Sequence, residues 1–90
     1  MTMKKTTGLL LLTLLAVVAV ASATTYITKA HAESIALAAV GGGKVVLAVP
    51  EFQDNPPVWS VDIKNRAIHK EFEVKVNAVT GAVVRIIPGG

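Results

Sequence analysis

Phe72 to Ile86, FEVKVNAVTGAVVRI, is the stretch whose reading decides the fold. Phe72, Val74 and Val76 alternate with Glu71, Glu73, Lys75 and Asn77, the period of a strand with one dry and one wet face. The run AVVRII, from Ala82 to Ile87, makes a last short strand after it. Between the two stand Asn77, Ala78, Val79, Thr80 and Gly81, which we read as a hairpin bend. Gly81 can take positive φ, and the Asn77 side chain can bond to the backbone two residues on. A calcium or peptide contact at Asn77 is the functional alternative. An amide there disfavours a metal, because hard cations prefer charged oxygen.

Working back from the hairpin, VWSVDIK (Val58 to Lys64) alternates in the same way, with Trp59, Val61 and Ile63 on one face and Ser60, Asp62 and Lys64 on the other. Asn65, Arg66 and Ala67 make the bend between the two strands, and HKEFEVKVN begins the next one. KVVLAVPEF, Lys44 to Phe52, is an earlier strand in which Val45, Leu47 and Val49 would share a face. Pro50 removes a ladder donor, so the strand is an edge there or is ending. QDNPP, Gln53 to Pro57, is an exposed loop on its turn chemistry.

Before the strands lies an alanine-rich helix, TKAHAESIALAAV, Thr28 to Val40. Thr28 suits its N-cap. Ala32, Ile35, Ala36 and Ala39 recur at helical spacing and form an apolar stripe of mostly small side chains, able to lie close on a sheet. Gly41, Gly42 and Gly43 end it. The expected fold class is α+β, with one helix packed on a three- to four-stranded antiparallel sheet and an N-terminal signal-peptide helix before it.

That first segment has its own signature. Lys4 and Lys5 precede GLLLLTLLAVVAVASA, Gly8 to Ala23, which carries no charge. A basic start, an apolar run and small residues at Ala21 and Ala23 are the pattern of a secretory signal peptide, residues 1–23, cleaved after Ala23. Ala30-His31-Ala32 is a second small-x-small triplet, but cutting there would remove the start of the helix. The rival reading is a retained membrane anchor, which needs roughly 20 apolar residues. The mass of the cellular protein separates the two. The localisation expected is periplasmic or secreted, or inner-membrane-anchored if the segment stays.

Charge follows the same division. Nine Lys and Arg against six Asp and Glu give +3; without Lys4 and Lys5, seven against six give +1. The remaining cations are scattered among acids along the sequence, so nucleic-acid binding, which needs a clustered basic surface, is not expected. Membrane contact is expected only through an uncleaved N-terminal segment. The chain has no cysteine to staple its 67-residue remainder.

The order of these pieces resembles a PepSY domain over roughly residues 27–88. ITKAHAESIALAAVGGGKVV is similar to the family's opening helix, glycines and strand, with Ala32, Ile35, Ala36, Leu37 and Gly41 to Gly43 at the matching positions. VWSVDI is similar to its central strand, with Trp59 where an aromatic is usual, and the closing hairpin matches except that Asn77 stands in place of Asp. The resemblance implies a domain found in propeptides of secreted metalloproteases, where inhibition or folding assistance has been proposed, and also in small free-standing exported or membrane-tethered bacterial proteins, the kind this chain looks like. It also implies a protein partner, a peptidase. The alternative is a membrane-tethered structural or sensory domain of the cell envelope.

No catalytic residue is expected. His31 and His69 are the only imidazoles and fall short of a zinc ligand set, so no metal is expected either. Ser34 and Ser60 lie in no nucleophile elbow. Glu71, Glu73 and Lys75 read as a solvated ladder on one strand face. No cofactor is implied. The candidate partner-contact residues are Phe52 and Asp54 in or beside the loop, and Trp59, whose first role is to anchor the helix to the sheet. An open sheet edge could also accept an extended chain.

Overall fold

A computed structural model of the chain describes residues 23–89. The helix α1 (Lys29–Val40) comes first, followed by β1 (Lys44–Glu51), β2 (Val58–Asn65), β3 (Lys70–Asn77) and β4 (Val83–Pro88). The four strands form one antiparallel sheet in the order β1-β2-β3-β4, and the helix lies on one face of it. The N-terminal apolar segment expected to be a signal-peptide helix, with Ala21, lies outside the described residues; Ala23 is exposed.

Local chemistry sets the ends of the helix. The Thr28 hydroxyl accepts a hydrogen bond from the His31 amide at 3.1 Å, the capping geometry expected of a threonine before the first turn. At the other end Gly41 takes φ 80°, and the Gly42 amide donates to the Leu37 carbonyl at 2.8 Å. Ala32 and Ala36 are wholly buried, so the helix sits close on the sheet through methyl groups. The apolar stripe is rotated from the expected one. Ala39 is exposed, whereas Leu37 and Val40 join Ile35 in packing against the core.

The centre of the core is Ala36 with Val61, Ile63, Val74 and Val76. Those valines and isoleucine come from the helix-facing sides of β2 and β3. Register places Val61 opposite Val74, Ile63 opposite Phe72 and Trp59 opposite Val76. The alternation read from both strands is therefore the alternation seen.

The outer strands depart from simple period two. In β1 the register shifts between Val45 and Leu47, leaving one residue extra. Val45 and Ala48 consequently face the core, while Leu47 and Val49, expected to share a face with Val45, are turned out and are 54% and 38% exposed. A single bulge flips every side chain after it. The strand ends at Glu51, and Phe52 begins the turn rather than closing the strand. In β4 a similar shift near Val83 accompanies wide exposure of Val83, Val84 and Ile86. His69, expected at the start of β3, instead closes a 3₁₀ turn (Arg66–Ile68) with φ 51°.

Candidate functional site

The stretch after β3 is a hairpin bend. The Asn77 side-chain oxygen accepts the Val79 and Thr80 amides at 2.8 and 3.0 Å, and the Thr80 hydroxyl accepts the Ala82 amide at 3.2 Å. Gly81 takes φ 79°, and its amide donates to the Asn77 carbonyl at 2.8 Å. The amide oxygen of Asn77 is thus consumed in building the hairpin. An aspartate would accept the same bonds, which is why the exchange at this position is structurally quiet.

The candidate contact residues separate into two groups. Phe52 and Trp59 come together, with ring centroids 5.3 Å apart and planes at 89°. A third ring joins them: Tyr26 stacks on Phe52 at 4.1 Å and 22°. The Trp59 indole N–H donates to the Ile27 carbonyl at 3.0 Å, and the Ile27 amide donates to the Ala78 carbonyl at 2.7 Å. The peptide leading into α1 is thereby strapped over the end of the sheet. Trp59 is half-buried, so it both anchors the core and shows one edge at this corner. Asp54 lies away from the rings in the exposed loop, which also contains a cis Asn55–Pro56 bond. Tyr26 was missed because it trails the apolar N-terminal run. Its aromatic character just before a helix cap was the signal available.

The open face of the sheet carries the polar ladder. Lys75 bonds Glu51 at 2.8 Å across to β1 and stands 3.9 Å from Glu73. The Ser60 hydroxyl donates to the same Glu73 carboxylate at 2.6 Å, and Lys64 stands 3.5 Å from Glu71. The hydrogen bond to Glu51 is the main cause holding the Lys75 ammonium pKa above its ordinary value. Ser60, although buried, Glu51, Glu73, Lys75, Lys64 and Glu71 each have a partner in this ladder, and Asp62 stands beside them without one. Its carboxyl is pushed up by desolvation first, then by Glu73, Glu51 and Glu71, against a smaller opposing pull from Lys75.

That environment makes a signed prediction. A carboxyl raised in the folded state contributes stability that is fully present below its unfolded pKa and lost as pH rises through the folded one. Ionised Asp62 therefore costs stability at neutral pH, and Asp62→Asn should melt higher than the parent at pH 7. The gap should close in acid, where Asp62 itself is protonated. Scanning calorimetry at both pH values checks this, and a variant that melts no higher at neutral pH would contradict it.

His31 lies in the first turn of α1, its backbone amide bonded to the Thr28 cap, whereas His69 sits in the β2–β3 turn at the far end of the sheet, so the two imidazoles do not meet. Among the described residues no three His, Asp or Glu side chains come together as a metal site, and no helix is long and apolar enough to cross a membrane. Both β1 and β4 are edge strands. β1 displays Val46, Leu47 and Val49 to solvent and leads directly into Phe52 and the loop.

Comparison with known families returns one match: the PepSY model, described as peptidase propeptide and YPEB domain, covers residues 26–87. That interval begins at Tyr26 and ends one residue short of the end of β4. No curated protein and no solved structure matches the chain.

Proposed function

The chain belongs to the PepSY family, and from that premise we propose that it is a non-enzymatic, exported module that binds another protein, a peptidase, and restrains or regulates it. The family's description links the domain to peptidase propeptides, and that link supports the class of partner. The observation that carries the mode of binding is the unpaired β1 edge running into the Phe52–Pro57 loop. Peptidase clefts hold substrates as extended backbone, and an edge strand offers the same unpaired N–H and C=O groups. Exposed Leu47 and Val49 supply apolar contacts beside that backbone, and the Tyr26–Phe52–Trp59 corner supplies aromatic area of the kind that dominates interfaces. Cleavage between Ala23 and Thr24 would release the module to the periplasm or the medium.

Titrating the protein into a panel of secreted metallopeptidases tests the reading. Hydrolysis of a peptide substrate should fall as the module is added, and Leu47→Asp should weaken the effect by roughly tenfold or more, the loss of about 1.5 kcal/mol of apolar contact. Leu47 is more than half exposed, so the substitution should leave the melting temperature nearly unchanged. Unchanged hydrolysis and no binding across the panel would defeat the proposal.

A further inference from the structure

Folding adds a distant cation to a run of basic residues in the β2–β3 turn. The β2–β3 turn and the start of β1 bring Lys44, Lys64, Arg66 and Lys70 to one end of the sheet, with His69 among them. Glu71, paired with Lys64, is the one acid lining the grooves there. Four cations against that acid leave the tip at +3. Residues 23–89 hold seven Lys and Arg against six Asp and Glu, a net +1, so the rest of the domain carries −2.

Three features of this tip go beyond charge. Register sets Lys44 directly opposite Lys64, a like-charged cross-strand pair that works against folding and so calls for another reason to be there. Two grooves, of about 390 and 380 Å³, adjoin one another and share Lys64 and Arg66 as a common wall. In the turn Ile68 is 50% exposed, close in sequence to Arg66 and His69, and it is not among the residues that pack against the core.

From this geometry we propose that the β2–β3 tip is a docking surface for an anionic phospholipid membrane. Lipid phosphates sit in the two basic grooves, and Ile68 inserts between headgroups. A cationic tip with a half-exposed aliphatic side chain is complementary to a negatively charged interface, where basic residues gain from the surface potential and apolar ones from leaving water. A soluble phosphate polymer would use the cations but has no use for Ile68. The tip stands at the opposite end of β3 from Asn77 and Ala78, where Ile27 is bonded, a separation of roughly 25 Å. Its membrane contact is therefore distinct from any made through the N-terminal segment, the only membrane contact expected from sequence, and it does not depend on the peptidase reading.

The chain lacks cysteine, so a single introduced thiol can report its own surroundings. The test uses the full chain carrying Ile68→Cys labelled with a polarity-sensitive dye, mixed with vesicles of phosphatidylcholine alone or with phosphatidylglycerol added. A blue shift is expected with the anionic vesicles only. It should be reversed by salt, which shortens the screening length to about 3 Å at 1 M. Adding Arg66→Gln should weaken the response about fivefold, the effect of one basic residue at such a surface. The same dye at Val79→Cys, exposed at the other end of the domain, should show no dependence on lipid charge. An equal shift at residue 68 in neutral vesicles, no shift at all, or a charge-dependent shift only at residue 79 would overturn the proposal. So would a shift produced by soluble polyphosphate without vesicles, which would assign the tip to a free anionic polymer.

Discussion

Trp59→Ala is expected to remove about 4 kcal/mol, a large share of the stability of the domain. A chain of this size holds roughly 3 to 10 kcal/mol of stability in all, since native proteins carry about 0.05 to 0.15 kcal/mol per residue. Truncating a half-buried tryptophan removes its packing on Val76 and Phe52, a loss of about 3 kcal/mol at a site of this burial. It also deletes the indole bond to the Ile27 carbonyl, worth about 1 kcal/mol net. With that bond gone, Tyr26 and the strap before α1 lose their anchor. Urea unfolding followed by circular dichroism reads the effect, because Trp59 is the sole tryptophan and fluorescence disappears with it. Trp59→Phe separates the contributions. It keeps an aromatic ring against Phe52 and should cost about 1 to 1.5 kcal/mol, mainly the hydrogen bond. Equal, small losses for both variants would show that the strap does not hold the domain together.

Gly43→Ala is the second large loss. Gly43 sits at φ +127°, a conformation side chains rarely adopt, and a Cβ there would lie 2.9 Å from both Ile63 Cγ2 and the Lys64 carbonyl oxygen. One contact is with the backbone of Lys64, which pairs with Lys44 at the start of the β1–β2 ladder and cannot move freely without disturbing that pairing. Conformational strain of about 1 to 3 kcal/mol adds to this overlap, so a total of about 3 to 4 kcal/mol is expected. Gly42 is the internal control. It has φ +108° but nothing within 4 Å of a would-be Cβ, so Gly42→Ala should cost the strain alone. The order of the two unfolding midpoints is the result to measure. If Gly42→Ala proved as costly as Gly43→Ala, the close seating of the helix-to-β1 connection on β2 would be wrong.

The parts of this fold that sequence made legible are those where one rule acts alone. β2 and β3 are central strands with one face on α1, and their alternation survives unchanged into the structure because any register slip would expose Val61, Ile63, Val74 and Val76 together. The Thr28 cap and the Asn77 bend were readable because each depends on a few neighbouring residues. Edge strands obey fewer constraints. β1 tolerates a bulge after Val45, so the face of Leu47 and Val49 could not be read from alternation. The helix stripe moved toward Leu37 and Val40 because alanines give little hydrophobic weight to either side.

Features assembled from distant segments were the least visible. The aromatic corner joins Tyr26 to Phe52 and Trp59 across thirty-three residues; sequence singles out Phe52 and Trp59 one by one, but neither their contact nor Tyr26 is visible in it. The basic tip needs both the β1–β2 register, which sets Lys44 opposite Lys64, and the tight β2–β3 turn. Lys64, Arg66 and Lys70 are already neighbours along the chain; it is Lys44, twenty residues before Lys64, that only the fold brings to them.

The central claim is that a partner's extended backbone adds to the β1 edge beside the aromatic corner. Amide hydrogen exchange, compared for the protein alone and with a peptidase it inhibits, tests this most directly. Slower exchange is predicted at the β1 amides that do not bond to β2 and across the Phe52–Pro57 loop, with β4 unchanged. Protection confined to β4 or α1 in such a complex would contradict it.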